Sequence, residues 1–318
     1  MRAVEWTFLK EPLKRVNPPT NGDMTKDPSS DVDIKRILID AADLASNQRG
    51  HGWTWSHKTT FPAWTSPPTI GRFLWQFLYK FTFYDMAIWS IEHFFPEIQS
   101  AAGASIFNAA CPAPLRYARA AYVTTACAFI VYSSVDVLYL ATAIVSCIFL
   151  RLDPVQWPPT SDRPWLSTSL KEFWGRRWHQ FFRHVFVSVG ARPMAYLFGR
   201  VGFVLGSFAM SALVHDWGMW SLGRGTEPLS VGGFFIMMGV GVAMEDVWER
   251  MTRKRVGGTL GWVWTMGWIL AWGSMMVDAW TRRSFVGANY LLDAVRPGKV
   301  IAEFLFRLLQ NASGWNLL

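Results

Sequence analysis

The sequence predicts an all-α, polytopic integral membrane protein with a polar N-terminal arm. Three observations carry this. Hydrophobic residues make up 51% of the 318 positions and charged residues only 17%, against about a quarter in ordinary soluble domains. Several apolar runs reach the roughly 20 residues that cross a bilayer. Trp occurs 19 times and Phe 23 times, which suits membrane interfaces and apolar tunnels better than a soluble core. The net charge of +8 then reads as cytoplasmic loops and anionic headgroups. No basic stripe carries a nucleic-acid-binding motif, so nucleic acid is not an expected partner. Cys111, Cys127 and Cys147 show no CxxC or Cys/His spacing, so neither a disulfide framework nor a metal site is expected.

The chain divides into a polar arm, 1–66, and a membrane domain, 67–318. The arm contains NPPTNGDMTKDPSSD at 17–31, whose composition predicts flexibility. A helix is predicted over 32–46, with Ile34, Ile37, Leu38, Ala41 and Leu44 on one face. RGHGWTWSH follows at 49–57. The arm has no signal-peptide apolar region, so the first membrane segment is expected to target the chain, with the endoplasmic reticulum the expected membrane. Residues 70–90 carry Arg72, Lys80 and Asp85. They suit either an interfacial helix or a crossing packed against partners. The run 117–150 is broken only by Arg119 and Asp136, as a tight hairpin or one long tilted helix. Residues 185–205 and 203–220 are apolar around an interruption at 190–193, and 231–248 and 259–279 are the cleanest spans. No Lys or Arg occurs from Phe81 to Leu115, whereas 151–184 and 249–255 are rich in them. The positive-inside rule puts those two loops in the cytosol and 90–116 on the far side, favouring a single crossing at 117–150. Arg282, Arg283, Arg296 and Lys299 fit that arrangement less well.

Two stretches carry chemistry. In EFWGRRWHQFFRH, 172–184, Ser169 and Glu172 form an S-x-x-E capping box. A helix running from there to His184 would put Trp174 and Trp178 on one face, and Gly175 and His179 on another. Glu172 and Arg176 stand at the favourable i,i+4 spacing. The same composition also suits a plain interfacial helix with arginines on headgroups. In SFAMSALVHDWGMW, 207–220, Ser207, Ser211 and His215 line one helix face, and Asp216 points elsewhere. An ionisable residue inside a membrane is a functional candidate; at a helix end it is simply solvated. A desolvated His215 is neutral at pH 7 and able to act as general base for alcohol attack on a thioester. His179 and the indole N–H of Trp174 or Trp178 are candidate donors to the oxyanion. Glu245 and Asp246 end a span just before ERMTRKR and read as interfacial; Asp136 is a polar break of no assigned purpose; His51 and His57 show no partners in sequence.

WPPTSDRPWLSTSLKEFWGRRWHQFFRH at 157–184 and SALVHDW at 211–217 resemble the two motifs of the wax synthase-like acyltransferases of the membrane-bound O-acyltransferase superfamily. RGHGWTW at 49–55 resembles the segment upstream of the first membrane block in fungal members. The resemblance covers about residues 40–280. It implies an enzyme with no bound cofactor that moves an acyl group, acetyl in many fungal members, from acyl-CoA to a lipophilic alcohol in a membrane tunnel. Terpenoid and meroterpenoid intermediates are the implied acceptors. It assigns His215 as the essential histidine and His179 as the polar residue sharing the chamber. Trp174, Arg176, Arg177, Trp178, Ser211 and Asp216 are expected around the substrates. Arg183 and Arg253 join Arg176 and Arg177 as candidates for the phosphates of coenzyme A. The alternatives are a wax-ester synthase, a membrane terpenoid cyclase using Asp136, Asp216 or Glu245, and an inactive shortened homologue. The last arises because relatives carry helices ahead of the polar segment.

Overall fold

The computed structural model describes residues 14, 34–47, 49–54, 61–62, 64–285 and 295–313. The 17–31 stretch and His57 lie outside the described residues. Ile34–Ser46 (α1) forms the arm helix that the apolar spacing predicts. Ile70–Phe94 (α2) begins at Thr69, whose hydroxyl accepts the Arg72 amide at 3.2 Å. Arg72 donates to the exposed Ser66 carbonyl and Thr65 hydroxyl at the helix start, whereas Lys80 and Asp85 are turned inward. Lys80 pairs with Asp136 of the neighbouring helix Ala113–Phe149 (α3). Asp85, fully buried, accepts from the Arg296 guanidinium at 2.8 Å and from the Lys299 amide at 2.9 Å. Lys80 and Asp85 thus pack against opposite charges, as the second reading of 70–90 expects, but this helix is not among the stretches long and apolar enough to cross a membrane.

The run at 117–150 is one helix, not a hairpin. The 37 residues of α3 span about 55 Å, well beyond a ~30 Å hydrocarbon core. The hairpin is in the next block instead. Arg183–Val185 (α5) widens through Phe186–Ala191 and runs on into Arg192–Ser221 (α6). The sequence predicts the interruption at 190–193. The structure places Pro193 at the start of α6, directly after that wide turn, where a missing N–H is tolerated, and breaks the helix at Phe198 and Gly199 instead. Gly199 has φ 58° and ψ −140°, a conformation that only glycine adopts without strain. The two arms fold back on each other at backbone contact distance. A Cβ on Gly190 would overlap the Gly206 carbonyl, one on Gly206 the Gly190 carbonyl, and one on Gly202 the Met194 carbonyl.

After a wide turn at Pro228–Gly232, Gly233–Thr252 (α7) and Gly258–Arg282 (α8) form the remaining long pair, and Pro297–Ser313 (α9) lies along α2. Four helical stretches, Ala113–Phe149, Arg183–Ser221, Pro228–Thr252 and Gly258–Arg282, are long and apolar enough to cross a membrane. The outward surface is apolar as well: Leu138 is 71% exposed, Leu229 87% and Leu260 84%, as suits lipid contact rather than water. The core gathers Val123, Leu170, Phe208, Val231, Phe235, Met238 and Val277, with Trp174, Trp264 and Trp268 packed against it.

The awkward C-terminal arginines are ion-paired. Arg282 pairs with Asp278 at 2.8 Å and Arg283 with Glu227 at 2.8 Å. Arg296, 2% exposed, lies between Asp85 and Glu92. A count of bare lysines and arginines overstates the charge at that end of the molecule. The hairpin gives the first prediction. Gly206→Val must push the two arms apart and is expected to cost about 3 kcal/mol. It should lower the thermal midpoint of the detergent-solubilised protein, whereas a valine at lipid-exposed Leu213 should not.

Candidate functional site

The segment that carries the first motif is anchored at its start. Leu170–Glu172 (α4) is capped by Ser169, whose hydroxyl accepts the Glu172 amide at 3.0 Å. The reciprocal half of the capping box is displaced by one residue: Glu172 Oε2 accepts from the Thr168 amide at 2.9 Å. The amides of Leu170 and Lys171 have no partner within the helix. Both donate to the Glu245 carboxylate of α7, at 2.6 and 3.0 Å, and the Trp264 indole of α8 donates to it at 3.0 Å. Glu245 is 4% exposed. The expected interfacial residue is therefore a buried clamp joining α4, α7 and α8. Glycines let the backbones close around it. A Cβ on Gly241 would overlap the Leu170 side chain, and one on Gly261 the Thr168 carbonyl.

The predicted helix to His184 ends early. Beyond Glu172 the turns widen over Phe173–Arg177, and Trp178 is extended at φ −75°, ψ 155°. Gly175 and His179 consequently do not share a helix face. Gln180, buried and unnoticed in the sequence, donates its amide to the Trp174 and Trp178 carbonyls at 3.1 and 2.8 Å. These are the acceptors the interrupted helix leaves unpaired. The predicted Glu172–Arg176 pair forms at 2.7 Å, and Arg177 donates to the same Glu172 oxygen at 2.8 Å and to the Asp162 carbonyl at 3.0 Å. Burial works against ionising Glu172, but the Thr168 amide and the two guanidiniums outweigh it and hold its pKa below the usual value.

His215 Nδ1 lies 2.8 Å from the carbonyl oxygen of buried Ser211. A carbonyl only accepts, so Nδ1 carries the proton and Nε2 keeps its lone pair. The imidazole lies against Phe235, centroids 4.4 Å apart, and Phe235 also meets Trp174 at 6.4 Å. Trp174 Nε1 and His179 Nδ1 are buried without a protein partner among the described residues. His179 is flanked by Trp178 at 5.2 Å and Phe181 at 5.6 Å. Burial pushes its pKa down to about 3, and the neighbouring His215 and Arg49 add to the shift. The fold thus links Trp174, Trp178, His179, Ser211 and His215 in one aromatic cluster through ring contacts and the His215–Ser211 bond. It does not bring Asp216 there: that carboxylate accepts the Glu227 amide at 2.6 Å and ties down the loop before α7. Arg176 and Arg177 stay on Glu172 at the rim.

A charged cavity of about 730 Å³ opens beside Glu172, with Lys171, Arg176, Arg200, Arg250, Arg253 and Arg255 in its wall together with the carboxylates Glu172, Glu245, Asp246 and Glu249. Of the basic candidates read from the sequence, Arg176 and Arg253 line it. Arg177 and Arg183 do not; Arg183 donates to the Gly175 carbonyl at 3.3 Å and to Gln180 at 3.2 Å. Arg200, at the hairpin tip, pairs with Asp246 at 2.7 Å, and Lys171 pairs with the same carboxylate. The cavity is therefore walled jointly by α4, the hairpin and α7.

Residues 157–237 match the family model described as the membrane bound O-acyl transferase family. Over this segment the chain is similar to that family. It is 28% identical over 305 residues to the O-Mevalon transferase yanI of Aspergillus niger, covering 82% of this chain and 66% of that protein. It is 30% identical over 157 residues to the acetyltransferase aurG of Calcarisporium arbuscula, covering 44% and 38%. It is 28% identical over 159 residues to the long-chain-alcohol O-fatty-acyltransferase of Simmondsia chinensis, covering 46% and 43%. The chain spans less than two thirds of the length of these relatives. The matched segment contains α4, His179, the hairpin, His215 and the start of α7, which are the parts that build the cluster.

Two predictions follow from this geometry. Glu245→Ala strands two buried amides and an indole, at an expected cost of about 3 kcal/mol or more. Glu245→Gln, which keeps an acceptor oxygen, should cost less, and thermal midpoints in detergent would rank the two. For His179, the folded pKa of about 3 lies below the ordinary 6.5, so the unfolded chain binds the proton more readily. Stability is then expected to be flat above pH 6.5 and to fall as the pH drops from there toward 3. His179→Asn should make the thermal midpoint less sensitive to pH over that interval.

Proposed function

We propose that the protein is an acyl-CoA:alcohol O-acyltransferase of the endoplasmic reticulum, acting on a lipophilic acceptor. The observation that carries this is the tautomer of His215. Ser211 holds the proton on Nδ1 and leaves Nε2 as a base in a chamber that also contains two unpartnered buried nitrogens. In this reading the acceptor hydroxyl attacks the thioester carbonyl carbon while His215 Nε2 takes its proton. The oxyanion is met by the Trp174 indole N–H, with His179 beside it as a neutral donor. The carbon–sulfur bond then breaks, and the departing coenzyme A thiolate takes the proton from the imidazolium, which restores the neutral base. The excess of basic over acidic residues in the charged cavity, six against four, supports a site for the coenzyme A phosphates. A groove of about 570 Å³ between α2 and α3, lined by Phe83, Met86, Tyr122, Phe129, Tyr132 and Trp165, supports arrival of the acceptor from the bilayer. Its Tyr132 lies 6.5 Å from Trp178 at the chamber.

The acyl group is proposed to be acetyl, because two of the fungal relatives are named acetyltransferases. The acceptor is proposed to be a terpenoid or meroterpenoid alcohol. Plant relatives named for long-chain alcohols make a wax ester the second reading. A cyclase is disfavoured because its candidate acids are already engaged. Asp136 holds Lys80 and Thr160, Asp216 holds the Glu227 amide, and Glu245 holds three donors. The test is ester formation in microsomes from labelled acetyl-CoA and a panel of terpenoid and long-chain alcohols. His215→Ala is expected to lose about 1,000-fold or more in turnover. Trp174→Phe is expected to lose about 10- to 100-fold in kcat with KM little changed, as suits a donor used mainly in the transition state. Equal turnover by wild type and His215→Ala would overturn the assignment.

A further inference from the structure

The RGHG turn of the arm has no part in the chemistry above, yet it is built to deliver one side chain. Gly50 and Gly52 both take left-handed φ, at 68° and 80°, and the Trp53 amide closes back on the Gly50 carbonyl at 2.9 Å. Asp43 at the end of α1 accepts the Trp53 indole at 2.8 Å and the Asn47 amide at 3.3 Å, and Asn47 donates at 2.9 Å to the His51 carbonyl. The turn points Arg49 into the membrane domain, where it is 5% exposed. Its guanidinium donates to the Pro159 carbonyl at 2.6 Å, the Pro158 carbonyl at 2.6 Å and the Tyr139 hydroxyl at 2.5 Å. Tyr139 itself donates to the Pro158 carbonyl at 2.9 Å. The same guanidinium lies 5.3 Å from the ring centre of Phe181 and 4.8 Å from that of Tyr139, within cation–π range.

Pro158 and Pro159 stand near the start of the first motif, and Phe181 stands two residues beyond His179. One planar fork therefore ties together two points of the chain more than twenty positions apart, with the chamber residues strung between them. Proline carbonyls have no N–H neighbour on their own residue to draw them into regular structure, so an outside donor fixes their direction. A lysine cannot reach three acceptors and two rings in one plane.

We infer that Arg49 is a positioning residue for the reaction. The N-terminal arm closes the loop 158–181 around Arg49 and so holds His179 and Trp174 in place opposite His215. The inference rests on the acyltransferase reading for its kinetic consequence but not for its structural one. A 1 Å misplacement of a group in such a site costs about 100-fold.

The experiment has two readouts on the full chain in microsomes. The first is trypsin cleavage within 163–183, which needs no turnover. Arg49→Ala is expected to open these sites, Arg49→Lys to protect them only in part, and millimolar ethylguanidinium to restore protection to Arg49→Ala. The second is ester formation. Arg49→Ala is expected to lose about 100-fold in kcat with KM for acyl-CoA within about twofold of wild type, and ethylguanidinium should return at least a tenth of the loss. Tyr139→Phe, which keeps the ring and removes only the hydroxyl link, should move both readouts in the same direction by less, and serves if Arg49→Ala does not accumulate. Wild-type protection in Arg49→Ala, full kcat in Arg49→Lys, or no response to ethylguanidinium would each overturn the inference. A wild type that is protected from trypsin but makes no ester would sink the acyltransferase reading, and the proteolysis would still decide the part played by Arg49.

Discussion

The buried Glu245 carboxylate is the interaction on which the site depends. A helix start inside an apolar bundle leaves amides that water cannot reach. Here the Leu170 and Lys171 amides and the Trp264 indole converge on one carboxylate. The clamp fixes where the first motif leaves α7 and α8, and everything after it inherits that position. The widened turn through Phe173–Arg177 puts the Trp174 ring against Phe208, Phe234 and Phe235. Phe235 in turn lies on the His215 imidazole. Without the clamp the two motifs would have no common frame.

Close backbone packing supplies the second constraint. The hairpin brings the two arms on either side of Phe198 and Gly199 to backbone contact, because Gly190, Gly202 and Gly206 occupy the contact. In lipid, apolar burial does little to drive helices together, so such packing and interhelical polar contacts carry the association. The polar contacts are few and concentrated. Asp246 joins Arg200 at the hairpin tip to Lys171, Asp136 joins α2 to the loop at Thr160, and Asp85 joins α2 to α9. Asp246 and Asp136 each touch two separate parts of the chain, and Asp85 holds the start of α9 through Arg296 and the Lys299 amide. Charges that break an apolar run in the sequence are thus the joints of the bundle.

The apolar periods, the capping serine and the His215 face were legible because each depends on residues within a few positions of one another. Ser169, the Glu172–Arg176 pair and the bond from His215 to the carbonyl four residues back are of this kind. The early end of α4 was not legible. Nothing local forbids a helix through His184; the break follows from Gln180 turning back onto two carbonyls and from aromatic packing within the cluster. The hairpin break was misplaced for a similar reason. Pro193 is the stronger local signal, but the contact of Gly190 with Gly206 requires the reversal at Phe198 and Gly199. The G-x-x-x-G spacing of Gly202 and Gly206 was a signal that could have located that contact.

By itself the sequence determined that this is a membrane-embedded helical protein with two motif histidines, because hydropathy and local spacing are properties of the chain alone. Only the tertiary structure decided that Glu245 is a clamp rather than an interfacial acid, that Asp216 faces a loop rather than the aromatic cluster, and that Arg49 reaches the first motif from over a hundred residues away. The physical reason is common to all three. A buried charge takes its meaning from the partner that compensates it, and that partner is chosen by the fold, not by position along the chain.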